Sequence, residues 1–157
     1  MASKTNAVRI VEFSGIAYQE AFYEYDEHDL RGTHAADAIG YPREQVFKTL
    51  VTHGERTGYH VFCIPVCCEL DLKKAAKAVG DKNMELIPVK ELLSLTGYIR
   101  GGCSPIGMKK HFPTHLDETA LLWDKIAVSA GERGHQIILS PEDLAKLVNA
   151  DLLDIIL

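Results

Sequence analysis

Apolar and polar positions along the chain alternate between a helical and a strand period. From Thr5 to Phe13 the apolar residues Val8, Ile10 and Val11 recur as on one helix face, with Thr5 or Asn6 placed to cap it and Gly15 just past its end. Ile16 to Tyr25 alternates loosely and predicts a strand. Thr33 to Ile39, closed by Gly40, predicts a short helix; Tyr41-Pro42 then leads through a turn into Val46-Phe47-Lys48-Thr49-Leu50-Val51. The β-branched and apolar content of that run predicts a second strand, and the polar tip Gly54 to Gly58 joins it to Tyr59–Val66 as a hairpin. Asp71–Val79, stopped by Gly80, and Pro88–Leu95, stopped by Gly97, predict two helices. Strands at Lys125–Ser129 and His135–Leu139 and a helix at Pro141–Val148, capped by Ser140, complete the pattern.

Hairpin signals outnumber strand-helix-strand crossovers, so the expected architecture is an α+β domain with a mixed, strongly twisted sheet. At 157 residues, without an internal repeat or Pro/Ser-rich linker, residues 1–157 are expected to form a single domain. A domain of that length buries about 70% of the surface its unfolded chain exposes.

Composition narrows the classes. With 46% hydrophobic and 25% charged residues there is no uncharged run long enough to span a bilayer, and Met1–Arg9 is polar, without the apolar core of a signal peptide. A cytoplasmic location without membrane contact is expected, and Cys63, Cys67, Cys68 and Cys103 then read as small buried hydrophobes. Their spacing matches no common zinc pattern, so neither a metal nor a cofactor is expected. A net charge of −5 argues against a dedicated non-specific nucleic-acid binder. A local basic surface nevertheless exists in Lys73, Lys74, Lys77, Lys82, Arg100, Lys109, Lys110 and Arg133.

Three features could carry chemistry. Lys48 interrupts an apolar strand and shares its face with Val46 and Leu50; it either snorkels to solvent or is a cation held on a stiff platform toward a cleft. Gly101-Gly102-Cys103-Ser104-Pro105-Ile106-Gly107 places three glycines and a proline in seven residues, a backbone able to turn its N–H groups toward an anion, or simply a connecting turn. Ser129-Ala130-Gly131-Glu132-Arg133-Gly134 reads as a hairpin loop or as a pocket wall. A cysteine or serine nucleophile has little support, since no nucleophile elbow or cysteine signature occurs. His111 and His115 have helical spacing, but Pro113 between them argues against a helix there.

The ordered set Gln45–Leu50, Leu70–Ala78, Thr96–Gly107 and Val128–Gly134 resembles the YbaK/EbsC family of free-standing aminoacyl-tRNA deacylases, relatives of the editing domain inserted in bacterial prolyl-tRNA synthetases. The resemblance covers nearly the whole chain. It implies a twisted mixed, partly barrel-like sheet wrapped by helices, and hydrolysis of the ester joining a wrong amino acid, foremost cysteine, to the proline tRNA. Carried over by position, Lys48 is the essential lysine, Gly101 and Gly102 the backbone of the substrate loop, and Ser129 a pocket hydroxyl. Tyr25 would be a pocket tyrosine, while Ser104, Pro105 and Gly131 would belong to the substrate-binding loops. Gln136 stands where some cysteine-specific members carry aspartate, which leaves cysteine against alanine open. The implied partners are the acceptor end of mischarged tRNA(Pro) and prolyl-tRNA synthetase. The alternatives are a non-catalytic module that binds aminoacyl-tRNA or synthetase, and a hydrolase using Cys103.

Overall fold

A computed structural model describes residues 4–157 of the chain; the first three residues of the polar N-terminal stretch Met1–Arg9 lie outside the described residues. The chain opens with α1 (Asn6–Ser14), whose first turn is capped where Thr5 Oγ1 accepts from the Val8 amide at 3.2 Å. Strand β1 (Tyr18–Phe22) is shorter at both ends than its sequence pattern. Helix α2 (Gly32–Ile39) precedes the hairpin of β2 (Phe47–Gly54) and β3 (Gly58–Pro65). Asp71 caps α3 (Leu72–Val79) by accepting from the amides of Lys73 and Lys74, and Ser140 caps α5 (Pro141–Val148), where Pro141 sits in the first turn. The predicted Pro88–Leu95 helix is divided into a 3-10 turn at Val89–Glu91 and α4 (Leu92–Thr96).

The expected mixed sheet is realised as two. One holds β1, β7 (His135–Leu139) and β6 (Ile126–Ser129) in the order β1-β7-β6, all antiparallel. The other has the order β4-β2-β3-β5-β8, with antiparallel pairs at β4-β2-β3 and parallel pairs at β3-β5-β8. Three of its strands are absent from the sequence reading: β4 (Met84–Leu86), β5 (Thr114–Asp117) and β8 (Asp151–Leu153). An isolated parallel bridge, Val46 to Ala127, joins the sheets.

Strand alternation divides the apolar residues between two faces. Phe47, Val51, Val61 and Cys63 of the hairpin meet Ile126, Val128, Ile137 and Leu139 of the smaller sheet in the main core, together with Val8 and Val11 of α1 and Leu144 of α5. The opposite faces carry two smaller cores: Ala36 of α2 packs on Val46, Val66, Ala127 and Ile138, and Ala75 and Ala76 of α3 pack on Phe62 and Ile64.

A polar chain with two buried histidines at its centre and exposed or half-buried ends crosses the far end of the larger sheet. Thr57 Oγ1 donates to Asp81 Oδ2 at 2.7 Å and lies 2.7 Å from His60 Nε2. His60 Nδ1 is 2.9 Å from His115 Nε2, and His115 Nδ1 is 2.5 Å from Asp151 Oδ1. The single Thr57 hydroxyl proton is committed to Asp81, so His60 Nε2 donates to Thr57 and its Nδ1 accepts from His115. His115 therefore stands on β5, as Pro113 implies, and belongs to a network linking β3, β5 and β8.

Candidate active site

The Val46–Ala127 bridge sets the geometry of the site. In a parallel pairing the next residues on that face lie two positions on, and these are Lys48 and Ser129. Ser129 pairs with Gln136 across β6 and β7, and Gln136 with Ala21 across β7 and β1. One row of side chains, Lys48, Ser129, Gln136, thus crosses from one sheet to the other, on the face between the α2 and α3 cores.

Beyond the bridge the sheets part. Strand β4 rejoins β2 only at Thr52, with the Ile87 amide donating to Val51 O at 3.1 Å, so the edge from Lys48 to Leu50 is laddered to β3 alone. The opening holds a cavity of about 640 Å³ lined by Lys48, Thr49, Gly101, Cys103, Ser129 and Gln136, with Tyr23 and Arg100 at its margins.

The polar groups of this row are held but not satisfied. Lys48 is half-buried, and its ammonium makes no hydrogen bond or ion pair among the described residues. Ser129 is 8% exposed; its Oγ accepts from the Gly131 amide at 3.1 Å, which leaves the hydroxyl proton free to donate. Gln136 is 5% exposed, and its buried Oε1 has no partner among the described residues. A buried unpaired carbonyl costs about 1–3 kcal/mol, so such groups point to a ligand that supplies what the protein omits.

The glycine-rich loop divides in the same way. Gly101 lines the cavity at φ +86°, a region L side chains rarely enter, and its amide donates to no acceptor among the described residues. Gly102 lies behind it: its amide donates to Ile99 O at 3.0 Å, and a Cβ there would stand 3.0 Å from the Glu132 and Arg133 backbone. Two loops touch backbone to backbone at that point, which requires glycine.

Of the residues expected in the site, the structure brings together Lys48, Gly101, Ser129 and Gln136. Gly131 acts from behind through Ser129, and buried Ser104 accepts from the Ile106 amide at 3.2 Å. Pro105 lines a separate cavity of about 170 Å³ against Ile10 and Phe112. Tyr25 is 46% exposed, beside Gly134 and outside the cavity lining. Pairing with β7 continues only to Tyr23, whose amide donates to Gly134 O at 3.0 Å, and Tyr23 lines the cavity. The period-two alternation from Ala21 was the available signal for Tyr23. Thr49 had none, because it faces the gap between two sheets, whereas Cys103 was already marked by its place in the glycine-rich loop.

The thiols are poor nucleophiles in this setting. Burial pushes Cys103, and likewise Cys63, up to about 12, and burial together with Cys67 pushes Cys68 up to about 11. No group of three or more His, Cys, Asp or Glu side chains among the described residues could hold a metal ion. No helix among them is long and apolar enough to cross a membrane.

The cavity thus lies at a sheet junction, with a strand lysine and a glycine-rich loop both in its lining. The chain belongs to the aminoacyl-tRNA editing domain family, whose domain matches residues 32–147. Among curated proteins it is 49% identical over 152 residues, 97% of this chain and 93% of its counterpart, to a protein of Enterococcus faecalis assigned as Cys-tRNA(Pro)/Cys-tRNA(Cys) deacylase EbsC. Among solved structures, one described as a trans-editing enzyme for prolyl tRNA synthetase is 26% identical, covers 99% of both chains and superimposes with a TM-score of 0.81. A second, described as a hypothetical protein, shares the fold at TM-score 0.86 with 20% identity, over 96% of this chain and 98% of its own.

Proposed function

We propose that this protein is a trans-editing deacylase that hydrolyses mischarged tRNA(Pro), Cys-tRNA(Pro) foremost. The observation that carries the reading is the row Lys48, Ser129, Gln136, with the ammonium and Oε1 unpartnered among the described residues, lining one cavity with Gly101. The 49% identity to a protein assigned that activity supports the substrate.

An aminoacyl ester is already activated, so the site chiefly orients it and stabilises the oxyanion that develops at its carbonyl. The Gly101 amide is an open donor of the loop at the cavity, and one well-placed donor is worth about 3 kcal/mol of transition-state stabilisation. The ammonium of Lys48 fixes the ester and its ribose at a constant distance, which removes orientational entropy from the barrier. Gln136 Oε1 and the Ser129 hydroxyl offer one acceptor and one donor to the aminoacyl group.

No side chain in the cavity is suited to attack, and for a cysteinyl ester none is required. The substrate's own sulfur attacks its carbonyl carbon, the C–O bond to the ribose breaks, and the thiol proton ends on the ribose hydroxyl. The product is a cyclic thioester that water then opens. This route selects thiol-bearing substrates in a pocket too small to reject an isostere by shape. With a net charge of −5 the protein binds tRNA weakly alone, which suits action beside prolyl-tRNA synthetase.

The deciding assay offers purified protein cysteinyl-, alanyl- and prolyl-tRNA(Pro) and follows loss of the ester. Cysteine should be released first and proline spared. Persistence of every mischarged ester at enzyme concentrations well above substrate would overturn the reading in favour of a non-catalytic binding module.

A further inference from the structure

The rim of the cavity carries arginines that the row of Lys48, Ser129 and Gln136 does not use. Arg31 is neutralised, because Asp29 takes its Nε and Nη2 at 2.7 and 2.8 Å. Arg100, which lines the cavity and is exposed, makes no side-chain hydrogen bond or ion pair among the described residues. Arg133 donates only through Nε, to Arg100 O at 2.9 Å, so its other guanidinium nitrogens have no protein acceptor among the described residues.

That bond is not idle. It holds Arg133 beside Gly101, where a Cβ would meet Arg133 Cγ at 3.5 Å, and so ties this guanidinium to the Arg100-Gly101 segment that lines the cavity, although Arg133 itself is not a lining residue. The neighbouring carboxylate Glu132 lies 3.4 Å from His135 Nδ1, and Asp29 is bound to Arg31. Of the remaining basic residues, Lys74 is tied to Asp154 and Ile156 O, and Lys73, Lys77, Lys82, Lys109 and Lys110 do not line the cavity.

We infer that Arg100 and Arg133 form a phosphate fork for the phosphodiester on the 5′ side of the tRNA's terminal nucleoside. The inference rests on the deacylase reading for the direction in which the nucleoside lies. Planar guanidinium groups suit phosphate oxygens, and a pair held by a loop hydrogen bond loses little freedom on binding. In a protein of net charge −5, Arg100 is the cation besides Lys48 that lines the cavity without a protein acceptor among the described residues, and Arg133 is the guanidinium bound to its backbone.

Binding to deacylated tRNA(Pro) tests the fork without requiring turnover. Fluorescence anisotropy with labelled tRNA over a series of salt concentrations compares wild type with Arg100→Gln, Arg133→Gln and Arg133→Lys. Either glutamine variant should weaken binding by roughly tenfold and lower the log–log salt slope by about 0.7. Arg133→Lys should restore the slope more fully than the affinity. Arg100→Gln breaks no protein contact, so its result is free of any folding defect. In competition, 5′-AMP should displace the tRNA better than adenosine does, and Arg100→Gln should erase that difference.

Unchanged affinity and slope in Arg100→Gln, or equal competition by AMP and adenosine against wild type, would overturn the fork. Wild-type protein that binds no tRNA would overturn it as well. RNA binding that needs both arginines without any ester hydrolysis would instead refute the deacylase reading and leave the phosphate contact standing.

Discussion

Two polar clusters touch opposite ends of strand β2 and its hairpin partner, one running out to the exposed carboxylate of Asp151 and one crossing to the smaller sheet, and they differ in their hydrogen bonding. In the chain Asp81, Thr57, His60, His115, Asp151, every link has its partner within 2.9 Å. In the row Lys48, Ser129, Gln136, the ammonium and Oε1 have none among the described residues. A satisfied network rigidifies the fold, whereas an unsatisfied one destabilises it until a ligand arrives. Residue type alone would have favoured the histidine cluster as a reactive centre. Hydrogen-bond accounting gives it the character of a structural network and is the reason the lysine row is proposed as the functional one.

The sharpest way to break this contrast is to exchange the consequences. Lys48→Ala should lower the rate of ester hydrolysis by about a hundredfold or more, since it removes a positioning cation from the reacting group. Its unfolding free energy should stay within about 0.5 kcal/mol of wild type because no protein hydrogen bond or ion pair of the ammonium among the described residues is lost. Parallel kinetics and urea melts check both halves, and a large stability loss would place Lys48 in the frame instead.

His115→Ala should do the reverse. Leaving His60 and Asp151 without their partner costs about 2–3 kcal/mol in a urea melt, while hydrolysis per folded molecule remains close to wild type. A specific loss of turnover in fully folded His115→Ala would end the division of labour argued above.

The same chain predicts a pH response. Burial, and secondly the His115 charge, hold His60 below the ordinary histidine value of 6.5. The unfolded chain then takes up a proton that the folded one resists, so stability is complete above that value and declines as pH falls below it. The slope is at most about 1.4 kcal/mol per pH unit for one such group. Urea midpoints between pH 7.5 and 5.5 check it, and His60→Gln should flatten the profile.

The smallest effect is expected from Cys103→Ala. With its thiol pushed up to about 12, Cys103 is a wall and not a nucleophile, so hydrolysis should fall by no more than roughly threefold. Complete inactivation, measured on cysteinyl-tRNA(Pro), would instead favour a protein nucleophile.

Most long elements were legible in the sequence because each carries its own signals: the Thr5, Asp71 and Ser140 caps, the Gly54–Gly58 hairpin tip and the β-branched strands. Strands β4, β5 and β8 were not, because segments of three or four residues are defined by their neighbours' edges. Thr114–Asp117 becomes a strand by lying between β3 and β8. Lys48 and Gly101 stood out as local oddities, a charge in a strand and glycines in a row, whereas Gln136 was named only through the family resemblance; the structure places all of them, with Ser129, on one cavity. Tyr25 was preferred to Tyr23 because the point where β1 stops pairing with β7 depends on a turn more than a hundred residues further on. The arginine fork was hidden for a related reason: eight basic residues look alike until the structure shows that Arg100 lines the cavity and that Arg133 is bound to its backbone.

The lone bridge between Val46 and Ala127 bears on how this protein can vary in length. Since the cavity is a matter of strand phase, one residue inserted between Val46 and Lys48, or between Ala127 and Ser129, would turn the polar side chain that follows from the cleft into the main core. An insertion at the exposed Leu121-Leu122 turn, upstream of β6, leaves that phase untouched. Homologues should therefore differ freely in size at such turns while keeping two three-residue intervals at fixed length, even where the residues within them have changed.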